Sequence, residues 1–132
     1  MILLVITGAL LIILSIVLGW TIVAHRYLGL KFLKRIIRDE SKLGMCHMEY
    51  VMMALVLFAF YLFKIDLPWY LIILSCIGAL SNPSLLLVVS VKPKIGTKPK
   101  SPFGMISTAS FLITTIGFGC TSLFILYELF QS

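Results

Sequence analysis

The chain has 132 residues, 61% of them hydrophobic and 12% charged, with a mean hydropathy of +1.11. Soluble domains carry about a quarter of their residues as charges, and disordered chains are poor in apolar residues, so both classes are excluded. The net charge of +6 reads as membrane-surface charge and not as a nucleic-acid footprint, because the bases lie between apolar runs as long as a bilayer is thick.

A spanning helix needs roughly 20 residues, so the length holds four spans with short loops and no soluble domain. The expected fold is all-α: an integral membrane bundle of four transmembrane helices, one domain over 1–132, assembled as an oligomer. The first span, 2–24, lacks a basic leader and exceeds the about 7–15 apolar residues of a secretory signal. It is expected to be retained. His25 and Arg26 close it.

The loop 25–43 carries Arg26, Lys31, Lys34, Arg35, Arg38 and Lys42, and the loop 92–102 carries Lys92, Lys94, Lys98 and Lys100. With four spans the two loops share a side, so ten of the eleven basic residues face one compartment. The positive-inside rule makes that side cytoplasmic and puts both termini outside. Leu28, Leu30, Phe32, Leu33, Ile36 and Ile37 interleave with the bases of the first loop. That pattern suits a segment lying among anionic lipid headgroups, although a plain topology signal is the simpler role for both loops. The prolines of 92–102 predict a non-helical connector.

The second span, 44–63, holds the two ionisable residues that need an explanation at membrane depth, His47 and Glu49. At about 100° per residue they are rotated about 200° apart. The His47 side continues through Tyr50, Val51, Ala54, Phe58 and Tyr61, and the Glu49 side through Met45, Met52, Met53, Val56 and Phe60. His47 is either an interfacial histidine bonded to a headgroup or a carbonyl, or a metal or axial ligand. Glu49 either snorkels to the surface, pairing with Lys42 or Arg38, or is a hydrogen-bonded carboxyl in a pocket. One helix cannot join the two in a single metal site; His25 with His47 is the other conceivable pair. Lys64 and Asp66 belong to the outer turn.

The third span, 69–91, opens on the interfacial pair Trp69-Tyr70 and contains Ser81-Asn82-Pro83-Ser84 at mid-membrane. Pro83 frees the Ala79 carbonyl and predicts a kink. Asn82 needs a partner at that depth, either as interhelical glue or in a pocket wall opposite the Glu49 side. The fourth span, 103–130, presents Ser110, Thr114, Gly117 and Thr121 on one stripe, which predicts close helix packing; Glu128 lies near its outer interface. Cys46, Cys76 and Cys120 show no paired spacing and read as packing residues. No nucleotide loop, catalytic triad, HExxH or redox dithiol is present.

A basic amphipathic loop leads into Met45-Cys46-His47-Met48-Glu49-Tyr50-Val51-Met52-Met53; Asn82 lies in the next span, and Pro102-Phe103-Gly104 opens the last. In this layout the chain resembles the small four-helix membrane proteins of the styrene oxide isomerase and hydroxylaminobenzene mutase type. The resemblance implies a trimer holding haem b between subunits, with His47 at the position of the axial ligand to the haem iron. It implies that the iron acts as a Lewis acid on an epoxide oxygen, a 1,2-shift giving an aldehyde. The opposite face of the second span, with the third, would line the substrate pocket of the next haem. The chain departs from the family where an asparagine six residues after the histidine is replaced by Met53, and where a tyrosine four residues after Asn82 is replaced by Leu86.

The leading expectation is a haem-b-binding membrane protein, an isomerase of a small apolar substrate, with His47 as cofactor and metal ligand and Glu49, Tyr50 and Asn82 as the reactive pocket groups. The competing readings are a non-enzymatic membrane subunit or assembly factor, and a small transporter using Glu49 as its proton or cation site.

Overall fold

In the computed structural model, which describes residues 1–97 and 100–131, the chain is all-helical. Its elements are α1 (Ile2–Arg26), α2 (Lys31–Ile36), α3 (Glu40–Leu62), α4 (Trp69–Val91), a 3-10 segment (Pro93–Thr97) and α5 (Pro102–Gln131). α1, α3, α4 and α5 are each long and apolar enough to cross a membrane. The chain is thus a bundle of four candidate membrane spans.

Local chemistry sets the helix ends. α3 begins before the apolar run of the second span because Asp39 caps it, its Oδ1 accepting from Lys42 N at 3.1 Å. α5 begins with Pro102 at its first position, where a missing N–H costs nothing, and Ser101 Oγ accepts from Gly104 N at 3.1 Å. The turn after α1 uses Gly29 with φ +61°, a conformation that favours glycine.

The loop between α4 and α5 corrects one expectation: Pro93–Thr97 forms a 3-10 turn. Pro93 stands at its first position, and Ile95 N donates to Lys92 O at 3.1 Å; proline breaks helices from the interior and not from the first turn. Lys98, one of the bases assigned to this loop, lies outside the described residues.

α3 and α4 are the central pair, with α1 against α3 and α5 against α4. Small residues let the α1–α3 and α4–α5 seams close. A Cβ on Gly8 would meet the Phe58 ring at 2.7 Å, one on Gly78 would meet Thr114 Cα at 2.7 Å, and one on Gly117 would meet Leu74 and Ser75 backbone at 3.0 Å. Ser110, Thr114, Gly117 and Thr121 are all buried. Ser81 pairs with Ser110 at 2.8 Å and Ser75 with Thr121 at 3.2 Å. Thr114 Oγ1 shares its proton between Gly78 O and Ser110 O.

α4 runs continuously through Pro83. Around the proline, side chains serve backbone acceptors: Ser84 Oγ donates to Leu80 O at 2.6 Å and Cys46 Sγ to Pro83 O at 3.1 Å. All three cysteines are free. The apolar core lies along α1, α3 and α4, with Leu4, Leu11, Leu43, Ala54 and Leu57 fully enclosed. Of the most apolar window of each long helix, only 33% in α1, α3 and α4 and 28% in α5 is buried. The remaining apolar surface faces outward, as hydrocarbon or a further protein copy requires.

Candidate functional site

The two polar groups of α3 serve two different interfaces. His47 faces α1. Its Nδ1 lies 2.8 Å from Ser15 O and 3.0 Å from Ser15 Oγ. A carbonyl oxygen only accepts, so Nδ1 carries the proton and donates it to Ser15 O; Ser15 Oγ in turn donates to His47 O at 3.4 Å. In neutral imidazole this leaves the Nε2 lone pair unused. Among the described residues no enclosed side-chain nitrogen or oxygen lacks a hydrogen-bond partner. Nε2, which has none, is therefore not fully enclosed.

The ring has room because α1 offers glycine: a Cβ on Gly19 would stand 3.3 Å from His47 Cε1. Gly19 also lines an apolar hollow of 320 Å³ with Ile16, Trp20 and Val23. That hollow is a shallow depression on α1 whose lining does not include His47. The donor set fits a haem held at the protomer surface: one neutral imidazole, its far nitrogen anchored to a carbonyl in the manner that orients ligating histidines.

Glu49 faces the other way. Its Oε2 accepts from Asn82 Nδ2 at 3.2 Å, and both residues line a crevice of 410 Å³. α4 adds Leu85, Leu86 and Val89 to the wall, and the first turns of α5 add Phe103, Ser107, Thr108 and Phe111. Farther out, α5 closes on α3 through the edge-to-face pair Phe60–Phe118, with ring centroids 5.6 Å apart. The crevice thus lies where the Glu49–Asn82 pair of α3 and α4 meets the first turns of α5.

The structure brings Glu49 and Asn82 together and leaves Tyr50 apart. Tyr50 is only 3% exposed and lines no wall of the crevice. Ser84 spends its own proton on Leu80 O, so Tyr50 OH donates to Ser84 Oγ at 2.8 Å. Tyr50 is therefore a tie between α3 and α4. Glu49 pairs with neither Lys42 nor Arg38, because Asn82 is within reach inside the bundle. His25 and His47 do not form a pair either. His25 Nδ1 donates to Glu40 Oε2 at 2.9 Å, and Arg26 holds Glu40 Oε1 at 2.6–2.7 Å, about 10 Å along α3 from His47 at 1.5 Å per residue.

Of Met53 and Leu86, Leu86 lies in the crevice wall and Met53 does not. Ser15 and Gly19 beside His47, and the α5 wall of the crevice, are additions from the structure. The alternation of Phe103, Ser107 and Phe111 at i, i+4, i+8 was the available signal for that wall, on a line of α5 that starts on the small-residue stripe and drifts to one flank of it at about 40° per step.

Comparison with family models, curated proteins and solved structures finds no significant match to this chain.

Proposed function

We propose that the protein is a haem-b-binding integral membrane protein with His47 as the iron ligand, acting as an isomerase of a small apolar substrate. The observation that carries the reading is the Nδ1–H···O=C bond from His47 to Ser15, which leaves Nε2 in ligating form. Bound ferric haem supplies a Lewis acid for a strained oxygen substrate such as an epoxide, with no net redox change.

The chain's own residues do the rest. Glu49 and Asn82 offer the polar end of the crevice, the carboxyl accepting and the amide donating, while Phe103, Leu86 and Phe111 hold an apolar body. A hydroxyl from Ser107 or Thr108 stands in place of the family's tyrosine and asparagine as a further polar contact. His47 bonds to α1 and Glu49 to α4, so a protomer's histidine does not serve its own crevice. The reading therefore requires an oligomer, a trimer by resemblance, in which one copy's ligand and another copy's crevice form the site. The bundle sits with its two basic loops in the cytoplasm and both termini outside.

The test is the ultraviolet-visible spectrum of detergent-purified protein expressed with haem supply, beside His47→Ala. A Soret band lost or shifted in the variant supports the reading. A colourless, folded and oligomeric protein after haem reconstitution overturns it and leaves the non-enzymatic subunit as the better account.

A further inference from the structure

Two cavities adjoin at the loop end of α4. The larger, of 560 Å³, is rimmed by Arg35, Arg38, Lys92 and Lys94 over Val91 and Ile95. Backbone bonds build it. Arg38 N and Asp39 N both donate to Ser90 O at 3.0 Å, which ties the start of α3 to the end of α4 and sets Arg38 beside Lys92. Among the described residues none of the four cations makes an ion pair. The nearby carboxylates are engaged elsewhere: Glu40 with His25 and Arg26, and Asp39 with Lys42 N.

The second cavity, of 340 Å³, is an apolar groove formed by Leu87 and Val88 together with Val91, Lys92 and Ile95 of the first. The three shared residues make the two cavities continuous. A mouth with four uncompensated cations thus runs into a hydrocarbon-like groove where a candidate membrane span ends. We infer that this is a binding site for one anionic glycerophospholipid per protomer, its phosphate among Arg35, Arg38, Lys92 and Lys94 and an acyl chain along Leu87 and Val88. Charge complementarity selects the headgroup, and the groove selects a lipid over a free phosphate, which would leave that apolar surface uncovered. The inference stands independently of the haem reading.

The experiment is native mass spectrometry of the full chain in mild detergent, equilibrated with phosphatidylglycerol or phosphatidylcholine. One phosphatidylglycerol retained per protomer is expected, with about tenfold preference over phosphatidylcholine. Arg38→Gln with Lys92→Gln should weaken retention about thirtyfold, from two lost basic contacts. Lys31→Gln with Lys34→Gln removes equal charge from first-loop residues that do not line the cavity and should change it less than about twofold. Equal losses in the two double variants would mean diffuse surface charge and would overturn the site. So would equal retention of the two lipids. Millimolar inorganic phosphate that displaces the lipid from the unmodified chain would assign the cations to a free phosphate instead. The lipid preference and the phosphate competition need no variant to fold, and a change in the Soret band has no bearing on either.

Discussion

Asn82 Nδ2 donates to Glu49 Oε2 at 3.2 Å, so a carboxyl of α3 and an amide of α4 satisfy each other across the α3–α4 seam while both still face a crevice. A carboxyl with a single neutral donor keeps its remaining acceptor capacity for a ligand. That distinguishes the pair from Tyr50–Ser84, where both groups are turned into the bundle.

The Glu49–Asn82 pair should be worth little to folding. A double-mutant cycle with Glu49→Leu and Asn82→Leu, read by unfolding in mixed micelles, is expected to give a coupling of about 0.6 kcal/mol, and no more than about 1.7, as for other hydrogen bonds between membrane helices. A coupling several times larger would make the pair a structural clamp and remove the reason to treat it as a ligand-facing group.

The α4–α5 seam should be far less tolerant. Gly78→Ala and Gly117→Ala place a methyl against backbone, at 2.7 Å from Thr114 Cα and 3.0 Å from the Leu74 carbonyl carbon, and each is expected to destabilise by about 1–3 kcal/mol. Gly119→Ala, with nothing within 4 Å, should be neutral. Thermal unfolding of the three variants side by side checks the ranking. Equal effects would mean that the seam is looser than described.

Around His47 the prediction separates main chain from side chain. Ser15→Ala keeps the carbonyl that anchors Nδ1 and should retain haem. Gly19→Val crowds the imidazole, because even the first side-chain carbon at that position would stand 3.3 Å from His47 Cε1. It should lower haem retention by about tenfold or more, the scale seen when a ligating histidine loses its orientation. Haem titration followed at the Soret band reads both. Loss of haem in Ser15→Ala with retention in Gly19→Val would reverse the assignment of the anchor.

At the start of α3, Asp39→Ala is expected to cost about 1 kcal/mol through the lost cap, and Asp39→Asn a few tenths, because the amide oxygen can still accept from Lys42 N. The unfolding midpoint of each variant measures this. A cost for Asn equal to that for Ala would point to the charge, through the helix dipole, in place of the hydrogen bond.

The features legible in the sequence were those carried by side-chain identity and helical period. The four spans follow from apolar run length, the α4–α5 seam from Ser110, Thr114, Gly117 and Thr121, and the opposed directions of His47 and Glu49 from the step of about 100° per residue. The features that escaped depend on main-chain atoms or on distant partners. The Ser15 carbonyl that anchors His47 is an acceptor every residue possesses, so no residue type announces it. On a helical wheel Tyr50 stands about 60° from His47 and about 100° from Glu49, and which neighbour it meets is decided by the placement of Ser84 on α4. Glu40 sits inside a basic loop, and its capture by His25 and Arg26 needs the α1 and α3 ends to meet in space. The turn at Pro93 depended on the position of the proline within the element, and its mere presence misled.

Phe111 is 63% exposed on α5 and yet forms part of the crevice wall, so on the membrane reading proposed above the crevice opens sideways onto hydrocarbon. A molecule reaching Glu49 by that route is drawn from a solution in oil. Its concentration at the door is set by partitioning before any contact with the protein is made. At about 0.8 kcal/mol per methylene, each added CH₂ should raise apparent affinity about fourfold when reckoned per litre of water, and leave it level when reckoned per mole of lipid. Apparent constants for such ligands would then shift with the amount of lipid in the assay, and ligands of equal fit would be ranked by their oiliness.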